Sequence, residues 1–419
     1  MFGYHGRIIN IDVTDHTFRI EWYDEAFAKA YLGGNGFAAK ILYDWLRPGI
    51  DPFDSSNAVV FGVGPITDTA IPSTSRAYMA SKSPLNGLYF DSTFGGRFAI
   101  TQKRTGFEAI VITGKSTEPV YVYVDESRPQ VESASDLWEK TPEEVAEILL
   151  ARHGNDADVA AIGLAGENLV RFAGVGHFWK GRSGFSGRGG LGAVLGSKRV
   201  KAIVVQGNKK TEVAHPERLK DLVRRQREIL KKGTAGFSEF GTPVLVQLIN
   251  TMGALGTRNL QREFCDEAEA ISGEVFKEEF FEKSLTCAQC PVACGKISSV
   301  KTGPNAGLRW KMPEYETIYS LGSMLENFDA SAIIQFNKLC DEMGLDTISM
   351  GATLAFAMEC FEKGFLSQKE AGGIDLRFGN IDVIPQLIKD TTFQQGFGKF
   401  LSEGSERMAY YIPLYHMRA

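Results

Sequence analysis

Short apolar runs dominate the first half of the chain. Residues 7–13 and 17–23 alternate or run apolar around Thr14-Asp15-His16, which predicts a β-hairpin. Further strands are predicted where apolar runs end at Gly, Pro or Asp, over residues 58–64, 75–80, 87–91, 109–114, 119–125 and 200–207. Helical spacing is limited to about 24–46, 95–104 and 142–153. Because strands and helices do not alternate regularly, the pattern does not indicate a doubly wound sheet.

After Asn208, the apolar residues recur mainly at helical spacing. One helix is predicted from about residue 216 to 232, with apolar or uncharged positions on one side at Leu219, Leu222, Val223, Gln226, Ile229 and Leu230. Two more apolar helices are predicted over 329–343 and 349–363, each followed by a glycine that can stop it. We therefore predict an α+β protein with a β-rich domain at residues 1–210 and a largely α-helical domain at 211–419.

Composition narrows the class of protein. The 419 residues are 43% apolar and 23% charged, which is ordinary for a globular chain. A net charge of −5 gives no reason to expect a nucleic-acid partner. The first residues lack the apolar stretch of a signal peptide, and no apolar run approaches the ~18 residues of a membrane span. Six unevenly spaced cysteines in such a chain indicate reduced thiols, metal chemistry and a cytoplasmic location.

Half of the cysteines lie in one segment, Cys287-Ala-Gln-Cys290-Pro-Val-Ala-Cys294. This spacing lets one loop direct three sulfurs at a single centre, which suits an iron–sulfur cluster or zinc. Both kinds of centre usually take four protein ligands, so a fourth is expected from elsewhere in the fold, from another chain or from no residue at all. The alternative is a chance grouping of three cysteines in a loop.

Three other segments carry candidate chemistry. Arg76 begins a strand between two Gly/Pro-rich turns, where it is either an anion-binding fork or a solvated surface residue. Residues 181–198 are rich in glycine and carry three basic residues, which suits either an anion-binding loop or a flexible linker. Residues 341–347 place two aspartates around Gly344, either to bind a polar ring system or simply to cap two helices.

The order of these segments and the residues in them resemble those of the tungsten-containing aldehyde ferredoxin oxidoreductase family. The resemblance covers about residues 3 to 400 and includes Gly187-Arg188-Gly189-Gly190-Leu191-Gly192, the cysteine segment, Pro313-Glu314-Tyr315-Glu316 and Gly344-Leu345-Asp346-Thr347. It implies a β-rich base for a tungsten or molybdenum bis-pyranopterin, a [4Fe–4S] cluster beside it, and Mg²⁺ bridging the pterin phosphates. It also implies an anaerobic enzyme that oxidises aldehydes to carboxylates and passes electrons to ferredoxin or an iron–sulfur subunit.

Site residues follow from this resemblance position by position. Cys287, Cys290 and Cys294 match three cluster ligands, and the backbone carbonyls of Thr93 and Phe185 match the magnesium ligands. The family's arginine before the second carbonyl aligns with Gly184, so whether Arg182 replaces it stays open. The full set of cofactor-binding positions is Arg76, Thr93, Gly95, Gly96, Arg182, Phe185, Gly187, Arg188, Asp341, Leu345 and Asp346.

The resemblance also implies a glutamate near the metal that acts on water or on the aldehyde oxygen. Glu316 is the first candidate for this catalytic residue and Glu314 the second. Either carboxylate could instead be one that the helix dipole favours at the start of a helix.

The end of the chain departs from the family. Family chains are usually longer, so we expect this chain to lack the usual C-terminal domain and its fourth cluster cysteine. Cys265, Cys340 and Cys360 are conceivable fourth ligands, although the last two lie in apolar helical patterns that favour the core. Uncovered apolar surface would then favour a homo-oligomer or a hetero-complex.

Two alternatives to an aldehyde oxidoreductase stay open. One is a redox enzyme with the same cofactor and another substrate, such as the catalytic subunit of a tungsten-type benzoyl-coenzyme A reductase. The other is a non-catalytic relative whose cysteines hold zinc or a labile cluster.

Overall fold

The computed structural model describes the backbone of residues 1–416 and the side chains of residues 1–412. The chain forms two compact units. The first comprises Met1–Leu169, Ala173–Gly233 and Thr286–Pro291, and the second comprises Val170–Phe172, Thr234–Leu285 and Val292–Ala419. The boundary near residue 210 stays a prediction.

The first unit is built mainly from strands and the second mainly from helices, which confirms the α+β class. The strands are β1 (Arg7–Asp12), β2 (Thr17–Trp22), β3 (Val59–Gly62), β4 (Ala77–Lys82), β5 (Tyr89–Phe94), β6 (Ala109–Thr113), β7 (Val120–Val124), β8 (Pro129–Ser133), β9 (Asp158–Ile162), β10 (Val175–Trp179), β11 (Arg182–Ser186), β12 (Val200–Val205), β13 (Phe281–Leu285), β14 (Gly295–Ser299) and β15 (Arg309–Lys311).

Most helices follow residue 210. They are α1 (Glu25–Tyr31), α2 (Asn35–Trp45), α3 (Phe98–Thr105), α4 (Pro142–His153), α5 (Leu164–Glu167), α6 (Leu191–Ser197), α7 (Pro216–Gly233), α8 (Ala235–Phe240), α9 (Leu245–Thr251), α10 (Gly273–Val275), α11 (Tyr315–Leu321), α12 (Ala330–Met343), α13 (Thr347–Glu362), α14 (Ile384–Phe393), α15 (Gly398–Leu401) and α16 (Ser405–His416).

Two six-stranded sheets form the first unit. Their strand orders are β2-β1-β6-β3-β4-β5 and β11-β10-β9-β12-β7-β8. Only the pairs β1–β6 and β7–β12 are parallel, and the other neighbours run antiparallel. The sheets are therefore mixed, in agreement with the absence of a regular strand–helix alternation in the sequence.

One apolar core is shared by both sheets. Ile9 and Ile110 of the first sheet belong to the same buried cluster as Val122 and Ile203 of the second. Side chains alternate between the faces of a strand, so Ile8 and Val111 point away from this core and join a second cluster with Ala38 and Leu42 of α2. Helix α4 covers the second sheet in the same way. Strands covered on both faces need nearly continuous apolar runs, as in β6.

The second unit packs helices around a core of its own, with a three-stranded antiparallel sheet β13-β14-β15. Helices α11 and α13 approach closely because Gly351 has no side chain, since a Cβ there would lie 2.2 Å from the Ser320 carbonyl oxygen. No helix within residues 1–416 is both long and apolar enough to cross a membrane.

Three sequence predictions need correction. The single helix predicted over 24–46 is two helices, α1 and α2, because Leu32, Gly33 and Gly34 all have positive φ. Strands β8 to β11, the three strands β13 to β15 of the largely helical part, and helices α5 and α6 were not predicted. On α7, Leu219, Val223, Gln226 and Leu230 are half-buried, whereas Leu222 and Ile229 are exposed, so the packed stripe is narrower than predicted.

Candidate functional site

Arg76 stands directly before β4 and is exposed. Its guanidinium donates two hydrogen bonds to Thr93 Oγ1 on the neighbouring strand β5, from Nη2 at 2.6 Å and from Nε at 3.1 Å. The Thr93 hydroxyl therefore orients the arginine, a role that sequence reasoning did not assign to this side chain. An oriented and exposed guanidinium is suited to binding an anion.

The turn after β5 leaves no space for side chains. Gly96 has φ +130°, a conformation that glycine adopts readily, and a Cβ there would lie 2.4 Å from the His177 ring. A Cβ on Gly95 would lie 2.7 Å from Cys287 Sγ. We call Gly95 and Gly96 the glycine turn. Both were predicted cofactor-binding positions, and the structure places Gly95 against the first thiol of the cysteine segment and Gly96 against His177.

His177 fixes the glycine turn from its buried side. The ring is 1% exposed, its Nδ1 lies 2.8 Å from the Val159 carbonyl oxygen, and the Arg97 N–H donates to its Nε2 at 3.3 Å. Nδ1 therefore carries the proton and Nε2 accepts. Burial lowers the pKa of His177, which keeps the ring neutral. Sequence reasoning missed this residue, because nothing in a lone histidine on an unpredicted strand signals it.

Residues 286–291, which belong to the first unit, are held within it by backbone and side-chain contacts. The Ala288 N–H donates to the Gly96 carbonyl at 2.9 Å, and Ser73 Oγ lies 3.4 Å from Cys290 Sγ. Gln289 Nε2 donates to Asp68 Oδ1 at 3.3 Å. We call residues 286–291 the thiol segment. Cys287, Cys290 and Cys294 are all partly exposed, as ligands that must receive an inorganic centre need to be.

Among the residues whose side chains are described, no three His, Cys, Asp or Glu side chains gather in a metal-binding arrangement. The three cysteines therefore stay predicted ligands. Cys265, Cys340 and Cys360 are buried, and desolvation raises the pKa of each thiol, as expected of core residues.

The glycine-rich segment divides into two parts with different roles. Gly192 and Gly196 lie on α6, where a Cβ would meet the Gly174 or Gly166 carbonyl oxygen at 2.2 or 1.9 Å, so they allow close packing. Gly189 has φ +82°, and its carbonyl accepts a hydrogen bond from Ser83 Oγ at 2.7 Å. This half of the segment is thus core structure and not a flexible linker.

The other half is β11 and the turn that follows it. Arg182 is 9% exposed and its Nη2 lies 3.7 Å from the position of a Cβ on Gly95, so Arg182 is beside the glycine turn. The ring of Phe185 packs edge-on against Phe178. The hydroxyls of Ser183 and Ser186 are buried and have no hydrogen-bond partner within the described residues. Buried polar atoms of this kind need a partner, such as a ligand or water.

These observations fit the first unit to a phosphorylated cofactor that lies along the backbone. The glycine turn and Gly184, whose Cβ would lie 2.6 Å from the Gly95 carbonyl oxygen, let main chains approach closely. Arg76 supplies positive charge, and the unpartnered Ser183 and Ser186 hydroxyls supply hydrogen-bonding capacity.

In the second unit, Asp341, Leu345 and Asp346 form the corner between α12 and α13. Asp346 caps α13, with its carboxylate accepting from the backbone N–H groups of Ile348 and Ser349. Asp341 is 5% exposed and accepts a hydrogen bond from Trp310 Nε1 at 2.9 Å. Burial raises the pKa of Asp341 to about 6. We call these three residues the carboxylate corner.

The two catalytic candidates differ in their surroundings. Glu314 is the N-cap residue of α11, and its Oε2 accepts from Thr242 Oγ1 at 2.6 Å while its Oε1 lies 3.4 Å from Lys311 Nζ. Glu316 is exposed in the first turn of α11. Thr242 and Trp310 are further residues that sequence reasoning missed, since each acts through a partner far along the chain.

The sequence matches two family models that together cover most of its length. The aldehyde ferredoxin oxidoreductase N-terminal domain matches residues 8–207, and domains 2 and 3 of the same family match residues 221–415. The expectation that the usual C-terminal domain is lacking is therefore wrong, because the sequence model of that region is matched.

Several relatives are similar over nearly the whole chain. The tungsten-containing aldehyde ferredoxin oxidoreductase of Pyrococcus abyssi is 39% identical over 98% of this chain and 67% of its own length. The WOR-like subunit of an aliphatic sulfonate oxidoreductase from Pyrococcus furiosus is 29% identical with the same coverage. The chain thus spans about two thirds of the length of these relatives.

A solved structure shares the fold. It is the active-site complex BamBC of benzoyl coenzyme A reductase with 1,5-dienoyl-CoA, with a TM-score of 0.84, 28% identity, and coverage of 98% of this chain and 63% of that one. Together with the two matched family models and the 39% identity above, this shows that the chain belongs to the aldehyde ferredoxin oxidoreductase family of oxidoreductases.

Proposed function

We propose that this chain oxidises aldehydes to carboxylates with a tungsten bis-pyranopterin and passes the electrons through a [4Fe–4S] cluster to ferredoxin or an iron–sulfur partner subunit. The observation that carries this proposal is the 39% identity to tungsten-containing aldehyde ferredoxin oxidoreductases over 98% of the chain. Aldehyde and water give carboxylate, two electrons and three protons, so the site must provide both an electron path and a proton path.

The proposed cofactor contacts use the residues of the glycine turn, β11 and the carboxylate corner. Arg76, Arg182 and Arg188 would neutralise pterin phosphates, and the carbonyls of Thr93 and Phe185 would hold Mg²⁺. Gly95, Gly96 and Gly187 would allow the backbone to approach the cofactor, and Asp341, Leu345 and Asp346 would bind a pterin. When bound, the tungsten centre, or molybdenum in its place, supplies the two-electron redox chemistry.

Cys287, Cys290 and Cys294 are the proposed cluster ligands. The thiol segment supports this proposal, because the Ala288–Gly96 hydrogen bond holds Cys287 Sγ against the glycine turn. Backbone N–H groups and close packing around thiolates set the potential of such clusters.

The proton path is proposed to use Glu316 or Glu314. Exposure leaves Glu316 free to exchange protons with water. Glu314 is held by the hydrogen bond from Thr242 and by the neighbouring Lys311, and a carboxylate in a fixed position suits a base that accepts a proton from water.

A second candidate function is the reduction of an aromatic thioester. It is favoured by the likeness to the active-site complex BamBC of benzoyl coenzyme A reductase. A partner subunit or a homo-oligomer is accordingly part of the proposal.

The test is substrate-dependent electron transfer by the anaerobically purified chain. We expect acetaldehyde or another aldehyde to reduce benzyl viologen, with tungsten near one and iron near four atoms per chain. Turnover of 1,5-dienoyl-CoA or a sulfonate without aldehyde turnover would replace the aldehyde proposal. Zinc as the only metal in the purified chain would contradict all of these redox proposals.

The cluster ligands have an internal control. Cys290→Ser should lose iron because the thiol segment loses a sulfur, whereas Cys360→Ser should keep it because Cys360 is a buried residue of α13. Equal iron content in the two variants would contradict the ligand assignment.

A further inference from the structure

Helix α7 borders a groove of about 430 Å³ on the first unit. Its half-buried Leu219 and Val223 form the floor beside Thr69 and Ala70. No residue of α7 is fully buried, which is unusual for a helix of 18 residues. The groove is therefore largely open to solvent on the side away from the loop at residues 69–70.

The rim of this groove is basic. Lys220, Arg224 and Arg227 line it, with Glu228 as the acidic lining residue. The whole helix has seven basic and three acidic residues, a net charge of +4 in a chain whose net charge is −5. Lys220 and Arg224 also pair with Glu217 and Asp221 one turn away, but such exposed pairs are weak and can exchange partners.

The opposite wall of the groove is rigid and adjoins the thiol segment. Asp68 accepts two hydrogen bonds from Arg104, each of 2.9 Å, and another from Gln289. Ser73, whose hydroxyl lies 3.4 Å from Cys290 Sγ, is three residues beyond Ala70. Three Cα–Cα steps span at most about 11 Å, so the groove wall lies close to a proposed cluster ligand.

We propose that this groove is the docking site for the electron acceptor, and that the acceptor is a small acidic iron–sulfur protein. The inference rests on the proposed function, because it gives the electrons of the proposed cluster a place to leave. The basic rim attracts an acidic surface over a distance and the apolar floor holds it at short range. Docking here places the acceptor next to Cys290, and transfer over a short distance is fast.

The groove favours a protein over a lipid surface. Leu222 and Ile229 are exposed on the other side of α7, outside the groove. A basic amphipathic helix that binds membranes presents its apolar stripe outward, whereas the stripe at the groove, Leu219 and Val223, faces the loop at residues 69–70. The same stripe forms the floor of a concave site with a second, rigid wall, which suits a compact convex partner.

The helix offers a matched pair of charge reversals. Arg224 and Arg227 lie on the groove side, whereas Arg218 and Arg225 project from the other side by the 100° periodicity of the helix. Arg224→Glu/Arg227→Glu and Arg218→Glu/Arg225→Glu therefore change net charge equally, on the same element, with only the first pair at the groove.

The experiment measures binding of an oxidised acidic two-[4Fe–4S] ferredoxin to the full chain by calorimetry. We expect Arg224→Glu/Arg227→Glu to raise Kd about tenfold or more at about 50 mM salt, and less at about 500 mM, because charge at the rim acts through screened attraction. Arg218→Glu/Arg225→Glu should change Kd by less than about twofold.

Three results would overturn the inference. One is an equal loss of affinity in both variants, which would indicate unspecific attraction by net charge. Another is an unchanged Kd in both. The third is binding of anionic phospholipid vesicles that depends on Arg224 and Arg227 while ferredoxin binding does not, which would assign the groove to a membrane surface.

Aldehyde-dependent reduction of benzyl viologen separates this inference from the proposed function, because the dye needs no protein docking site. If both variants reduce the dye and ferredoxin binding does not depend on the groove residues, only the docking-site proposal is contradicted. A chain without dye activity whose ferredoxin binding still requires Arg224 and Arg227 would keep the docking site and remove the aldehyde reaction.

Discussion

The glycine turn and the carboxylate corner are held in position by different kinds of interaction. At the glycine turn, the space is filled by the His177 ring and Cys287 Sγ, so the backbone is positioned because side chains are missing. At the carboxylate corner, two buried aspartates are positioned by hydrogen bonds, from Trp310 to Asp341 and from the α13 N-terminus to Asp346. The first depends on shape and the second on electrostatics.

The two regions should therefore fail under different perturbations. Added volume should disrupt the glycine turn at any pH, whereas the carboxylate corner should tolerate a change of the same size but respond to protonation. The following substitutions separate these two kinds of dependence.

Gly96→Ala should have the largest effect. The new methyl group meets the His177 ring at 2.4 Å and the backbone φ of +130° is unfavourable for alanine, so we expect a loss of about 3 kcal/mol or more in unfolding free energy. Urea unfolding followed by far-UV circular dichroism measures it. Gly64→Ala is the matched control, because no atom lies within 4 Å of its Cβ position, and it should cost under about 1 kcal/mol.

Asp341→Asn should show an intermediate effect that depends on pH. The pKa of Asp341 is raised from 3.8 to about 6, so the native state binds more protons than the unfolded state between these values and loses stability as pH rises through them. Asparagine does not titrate, so from about pH 4 to about pH 7 the variant should gain about 3 kcal/mol relative to the wild type.

Chemical denaturation at several pH values measures this difference. Glu342→Gln removes the neighbouring carboxylate of α12, which is partly exposed and pairs with Lys338, and should change the pH dependence by less than about 0.5 kcal/mol. A pH-independent difference for Asp341→Asn would contradict the buried-carboxyl interpretation.

Thr93→Val should have the smallest effect on folding. It removes the hydroxyl that accepts both hydrogen bonds from Arg76 but keeps the shape of the side chain, and Arg76 is exposed, so the cost should stay below about 1 kcal/mol. Its larger consequence should be weaker retention of tungsten after gel filtration, because Arg76 loses its orientation. Thr93→Ser keeps the hydroxyl and should retain the metal like the wild type.

Local chemistry made much of the fold predictable. The β1–β2 hairpin, α12 with its Gly344 stop, and α4 from Pro142 to His153 all match the sequence prediction, and Asp329 caps α12. In each case the signal lies within a few residues: alternation in the strands, a capping side chain, or a glycine with positive φ.

The elements that were not predicted have only weak signals in their own sequences. Strand β9 reads Asp-Val-Ala-Ala-Ile, and β11 reads Arg-Ser-Gly-Phe-Ser, neither of which alternates between apolar and polar residues. Strand β9 forms because it pairs with β10 and β12 and contributes to the shared core. Strand β11 forms because it pairs with β10.

The candidate site shows the same limit. The resemblance to a family marked Gly95, Gly96 and the cysteines, but neither their contact nor the roles of His177 and Trp310 can be read from spacing. The surroundings of the carboxyl groups also depend on tertiary structure: the catalytic candidate Glu316 is exposed, whereas Asp341 is buried and its pKa is raised to about 6.

The contact between Ser73 and Cys290 joins residues 217 positions apart. Closing such a long loop is entropically costly, so contacts of this kind form late in folding. The cysteines then remain exposed to oxidants throughout synthesis and early folding. Recombinant production should accordingly gain more from oxygen exclusion during expression than from reductant added to the finished protein.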